Sequence, residues 1–220
     1  MASEQEAVTQ PMAEPVPPAA LSAPAGRRAE PVLIGPIAAG KSTLGRLLAE
    51  RLGWPRVALD DVRFAYYAEL GYDPAQADRL RREGGFLALY RYWKPFEVHA
   101  VERALAEHRA CVFDFGAGHS VYEEPALFAR AQRALAPFAY VVLLLPAPDL
   151  AESGRVLRER RGGRSVVHGG LDFDEHFLTH PANGTLATHT VYTAGRTPEA
   201  ICDELVRLVR SGPSGLGRER

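Results

Sequence analysis

Short apolar runs alternate along this chain with longer stretches in which apolar residues recur every third or fourth position. The runs at 32–34, 57–59, 110–115, 139–145 and 189–193 read as strands. The periodic stretches predict helices over 42–52, 75–107 in two or more pieces, 124–135, 149–161 and 198–209. Leu44, Leu47, Leu48 and Leu52 share one face of the first helix, and Gly53 stands just past it as a stop signal. Thr197 and Pro198 supply an N-cap and a first-turn proline for the last. Strands that alternate with helices are joined by right-handed crossovers into a parallel sheet covered on both faces. The expected fold is α/β in three layers, around a five-stranded parallel sheet.

Between the first strand and the first helix lies Gly35-Pro36-Ile37-Ala38-Ala39-Gly40-Lys41-Ser42-Thr43. It fits Gly-x-x-x-x-Gly-Lys-Ser/Thr in the strand, loop, helix context that gives the pattern its meaning. Glycines let successive backbone N–H groups turn inward around phosphate oxygens, and the helix aims its positive end at the same anion. ATP is expected on Gly35, Ala38, Ala39, Gly40 and Thr43, with Lys41 on the β- and γ-phosphates and Ser42 on Mg²⁺.

Composition narrows the class. The 220 residues, 46% of them hydrophobic, suffice for one domain with a good core. A balance of 26 basic and 27 acidic residues gives −1, so no nucleic-acid or membrane partner is expected. Cys111 and Cys202 read as buried small hydrophobes in a reducing cytoplasm. Residues 1–30, rich in proline and alanine, read as a disordered leader, 31–210 as the domain and 211–220 as a disordered tail. No stretch approaches membrane-spanning length. A cytoplasmic monomer or homodimer is expected. Of the 26 basic residues only Lys41 and Lys94 are lysines, and under such a bias a retained lysine marks a place for a compact ammonium.

In parallel sheets ligands gather at the carboxyl ends of the strands. The residues there are Asp60 and Asp61, Asp114 with Gly116-Ala117-Gly118-His119, and 192–196. Asp60 can accept a substrate O–H and hold its oxygen in line with the γ-phosphate. It also suits an N-cap, for which Asp61 is the better candidate. Asp114 follows the apolar Ala110-Cys111-Val112-Phe113, as a Walker-B carboxylate holding Mg²⁺ through water does, or as a turn residue does.

Taken together, 32–209 resembles the shikimate kinase family and, more broadly, the small P-loop kinases of metabolites, most densely in Gly40-Lys41-Ser42-Thr43-Leu44-Gly45-Arg46. The resemblance implies a P-loop fold with a helical acceptor-binding segment and a mobile lid, and a small-molecule acceptor with a hydroxyl group. It makes Asp60 the acceptor-binding aspartate and Gly116, Ala117 and Gly118 the turn that touches the acceptor. It matches Lys94 and Glu97 to an Arg-x-x-Glu pair that grips the acceptor's carboxylate, with Arg91 as a rival. In the basic run 155–164 it makes Arg158 the adenine-stacking arginine and Arg161 or Arg164 the lid arginine on the transferring phosphate. It places Arg196 in the loop beside adenine.

The departures matter as much. The family's magnesium-side aspartate is replaced by Ala58, for which Asp114 is a possible compensation, and the middle glycine of the turn by Ala117. No arginine occurs from Val166 to Tyr192, where a second carboxylate-binding arginine is expected. His176 and His180 occupy that segment, either touching substrate or capping and packing. One such pair makes a weak metal site. The aromatics of 66–107 are expected to form the acceptor-binding cap or to pack on the sheet. These features point to an ATP-dependent kinase whose default acceptor is shikimate. A relative acting on another cyclitol, sugar acid, nucleoside or antibiotic is the alternative. Ala58 and Ala117 keep an ATP-binding regulator without acceptor in view.

Overall fold

A computed structural model describes residues 26–165 and 167–211. The expected leader up to residue 25 and the tail from residue 212 lie outside the described residues. The elements are β1 (Val32–Ile34), α1 (Lys41–Leu52), β2 (Arg56–Ala58), α2 (Leu59–Glu69), α3 (Pro74–Glu107), β3 (Val112–Asp114), α4 (Pro125–Leu135), β4 (Val141–Leu145), α5 (Leu150–Arg160), β5 (Val167–His168), β6 (Leu171–Asp172), α6 (Phe173–Thr179), α7 (Pro181–Leu186), β7 (His189–Tyr192) and α8 (Pro198–Ser211). Five strands form one parallel sheet in the order β2-β3-β1-β4-β7, with β1 at its centre. Every residue of β1, β3 and β4 is buried, which is the continuous apolar reading of strands covered on both faces.

Local chemistry fixes the helix ends. Gly53, left-handed at φ 68°, closes α1 by donating to the carbonyls of Ala49 and Glu50. Asp73 caps α3 ahead of Pro74, Asp149 caps α5, and Thr197 accepts from the Ala200 N–H at 3.2 Å to start α8. Gly85 breaks α3 with φ 68°, so this stretch is two pieces, as its sequence suggests. Both cysteines are buried and free.

Two expectations need correction. Leu59, read as the end of a strand, is the first residue of α2 and is wholly buried. With no loop between β2 and α2, the N-cap is Ala58, so Asp61 caps nothing and lies with Asp60 in the first turn. Arg28 bridges to Phe138, donates to the carbonyls of Leu105 and His108, and stacks 4.2 Å over the Phe138 ring. Among the described residues no helix is long and apolar enough to cross a membrane.

Candidate active site

The glycine loop between β1 and α1 alternates in hand, with φ 136° at Gly35, 62° at Ala38 and 100° at Gly40. Such alternation turns backbone N–H groups toward one concavity. Gly35 is required twice over: its φ is left-handed, and a Cβ there would lie 2.6 Å from the Leu144 carbonyl oxygen. Lys41 is the first residue of α1 and is buried. Its ammonium donates to the carbonyls of Gly35 at 2.8 Å and Pro36 at 2.7 Å, across the mouth of the loop. Burial lowers its pKa from 10.5 to about 8, against the opposing pull of Asp114 and Asp60.

Asp114 ends β3 directly beside Ala58 of β2 and next to Leu33 of β1 in the sheet register. It is buried, influenced by the nearby Ser42 hydroxyl, and paired with Arg56 at 3.0 Å. Burial raises its pKa, while Ser42, Lys41 and Arg56 hold it down. Gly45 makes this approach possible, since a Cβ there would already press at 3.3 Å on the Cβ of Asp114. A hydroxyl and a carboxylate near each other at the foot of the phosphate loop are the donor set a hard divalent cation takes. The carboxylate that Ala58 lacks thus stands one strand away, on its register partner.

Asp60 faces the same cleft from α2. Its carboxylate presses on the turn after β3: a Cβ on Gly116 would lie 2.5 and 2.7 Å from its two oxygens. A Cβ on Gly118 would lie 2.9 Å from Glu97 Oε1. Gly116 has an ordinary φ of −62°, so this glycine is required for space rather than for backbone freedom. Ala117 sits between them in a turn of 3₁₀ helix, Ala117–Ser120, packed with Tyr90, Val121 and Phe173.

Lys94 is placed differently from the expectation. It is buried, and its ammonium donates to Glu97 at 2.5 Å and to the carbonyls of Gly118 at 2.9 Å and Val121 at 3.0 Å, with the Tyr90 ring 4.0 Å away. All three N–H bonds are engaged within the protein, so Lys94 braces the Gly116–Gly118 turn instead of presenting a free charge. Arg91 is exposed and lines a cleft with Tyr90, Lys94, Glu123 and His176.

Beside the glycine loop lies a cleft of about 290 Å³ lined by Ala38, Ala39, Gly40, Thr43, Arg160, Thr193, Arg196 and Pro198 among others. Arg196 is held there by Glu204 and by the Tyr192 carbonyl at 3.2 Å. Arg158 is not: it lines a cleft between α5 and α6 with Asp174 and Thr179. Arg160 takes the place beside the loop, donating to the Ala38 carbonyl at 3.3 Å and the Thr193 hydroxyl at 3.1 Å. The buried residues of α5, Ser153, Gly154 and Leu157, do not single out the exposed Arg160, whose place is fixed by these two contacts of the folded chain. Beyond it, Arg161 is paired with Asp174 of α6, Gly162 and Gly163 are left-handed, and Arg164 is exposed. A two-residue hairpin, β5 and β6, follows, turned by left-handed Gly169 and Gly170. His176 bonds Glu123 at 2.7 Å and His180 caps α7, so this pair caps and packs. Among the described residues no three metal-ligating side chains cluster around it.

The loop, its buried lysine and the carboxylates at the ends of β2 and β3 define a P-loop nucleotide-binding protein of the kinase class. Comparisons with known proteins agree. A family model described as AAA domain matches residues 31–169. The shikimate kinase of Saccharopolyspora erythraea is 33% identical over 196 residues, which span 86% of this chain and 97% of that protein. The solved shikimate kinase from Acinetobacter baumannii, in complex with shikimate, superposes with a TM-score of 0.56 at 19% identity, over 84% of this chain and 95% of that one. A gluconokinase from Sinorhizobium meliloti 1021 superposes more loosely, at 0.46 and 16% identity over 84% and 96%. The chain belongs to the shikimate-kinase-like family of P-loop kinases.

Proposed function

We propose that the protein transfers the γ-phosphate of ATP to a hydroxyl of a small polar metabolite. The observation that carries this reading is the convergence of Lys41, Ser42, Asp114 and Asp60 on one cleft at the carboxyl edge of the sheet. The backbone of Gly35 to Thr43 would hold the phosphates, with Lys41 exchanging its two carbonyl partners for phosphate oxygens. Ser42 and Asp114 would hold Mg²⁺, whose charge offsets that of the triphosphate. Asp60 would orient the acceptor hydroxyl. As its oxygen bonds to the γ-phosphorus, the bond to the ADP oxygen breaks and the hydroxyl proton passes to the carboxylate. Arg160 would lie over the nucleotide, and Arg161, released from Asp174, or Arg164 would close on the transferring phosphate.

Shikimate is the first acceptor to try, because it is what the curated relative is named for. Incubating purified protein with ATP·Mg²⁺ and a panel of hydroxylated acceptors should release ADP together with a phosphorylated product. Lys41→Ala should lower turnover by roughly a thousandfold, as removal of a main transition-state charge does. ADP release without any phosphorylated acceptor would instead favour an ATP-binding regulator.

A further inference from the structure

Four buried polar atoms without a hydrogen-bond partner in the protein gather at one place: Arg63 Nε, Tyr67 Oη, and both ring nitrogens of His119. Among the described residues only Trp54 Nε1 shares that condition elsewhere. The large majority of buried side-chain polar atoms are paired, so a cluster of unpaired ones needs an explanation, and a polar ligand is one that fits its place beside Asp60. Arg63 and Tyr67 lie one turn apart on α2, while His119 comes from the turn after β3. His119 Nδ1 and the carboxylate of Asp60 converge on Gly116: a Cβ there would lie 2.8 Å from the first and 2.5 Å from the second. Tyr67 and His119 both feel the charges of Asp60, Glu97 and Arg63.

Each member is held in place. His119 is 1% exposed, and its peptide N–H and C=O are bonded to the Gly116 carbonyl and the Tyr122 hydroxyl. The Arg63 guanidinium lies 4.8 Å over Phe64 and 4.9 Å over Trp93. The charges, meanwhile, cancel in pairs. Lys94 is matched by Glu97, and Arg63 lies 3.5 Å from Asp60. Burial keeps His119 neutral, with one nitrogen a donor and the other an acceptor. Within this cluster each cation already has a carboxylate beside it, whereas mixed donors and acceptors suit hydroxyl groups.

Resting on the kinase reading above, we infer that Arg63, Tyr67 and His119 read the acceptor, and that this acceptor is a compact uncharged polyol, not a carboxylic acid. The test is phosphoryl transfer by the full chain to shikimate and to neutral polyols, with myo-inositol and xylitol as probes. It is paired with the ring ¹⁵N resonances of His119 during titration with each probe. A neutral polyol should be phosphorylated with kcat/KM at least about tenfold above shikimate and should shift the His119 resonances. Tyr67→Phe and His119→Asn, each checked for folding by thermal midpoint, should raise KM for the polyol about tenfold with a smaller change in kcat. Preference for shikimate over both polyols would overturn this inference while leaving the kinase reading intact, as would an unchanged KM in folded variants. Polyols that are neither phosphorylated nor felt by His119 also overturn it, and the kinase reading falls as well only if shikimate is not phosphorylated either.

Discussion

Lys41 carries the strongest consequence at the scale of single residues. Its ammonium is buried behind the phosphate loop, and burial brings its pKa from 10.5 to about 8. Between these values the unfolded chain binds a proton that the folded protein does not, so this residue makes folding more favourable as pH rises through the window. The total over the window is roughly 3 kcal/mol. The unfolding free energy of wild type relative to Lys41→Met should therefore climb from about pH 8 to pH 10.5 in chemical denaturation. A flat difference would mean that the buried ammonium is not the source. Asp114 shows the same economy of position. The chain has no carboxylate at Ala58, yet the neighbouring strand supplies one in direct register.

At the scale of elements, α5 decides which arginine stands beside the phosphate loop. Arg160 at its end reaches the Ala38 carbonyl and the Thr193 hydroxyl, whereas Arg158 lies in the cleft beside α6. Arg160→Ala should raise KM for ATP about tenfold, the usual effect of losing a charged hydrogen bond, and Arg158→Ala should change it less than about twofold. Steady-state kinetics at varied ATP separates the two. The next element is a tether: Arg161 binds Asp174 across the left-handed pair Gly162 and Gly163. Much of this was legible in the chain. The glycine loop, the stop at Gly53 and the Thr197-Pro198 start are local chemistry and stand where sequence places them. The basic run near 160 was also visible, but its sequence alone does not say which arginine faces which neighbour.

For the whole molecule, the elements around the phosphate loop come from distant parts of the chain: the cleft beside it takes residues from the loop itself, from α5 and from 193–201. Ligand binding to the folded state alone should therefore stabilise all of them together. ATP·Mg²⁺ at about a hundred times its Kd should add about 2.7 kcal/mol and raise the thermal midpoint by roughly 5–10 °C. Lys41→Met should show less than about 2 °C under the same conditions. A shift of equal size in the variant would place the nucleotide away from the loop.

The sequence by itself determined the alternation of strands and helices, the phosphate loop and the kinase family, because each depends on periodicity or on residues adjacent in the chain. Tertiary structure alone decided what surrounds Asp60 and the turn after β3. Lys94 was matched, with Glu97, to a pair that grips a carboxylate, and it became a brace because Gly118 and Val121, more than twenty residues on, bring their carbonyls to it. Arg63, Tyr67 and His119 carry no motif, and they matter only because α2 and the turn after β3 pack their unpaired polar atoms beside Asp60. Burial and pairing are properties of the folded neighbourhood, so a sequence pattern cannot state which charge is matched and which polar atom is left to meet a ligand.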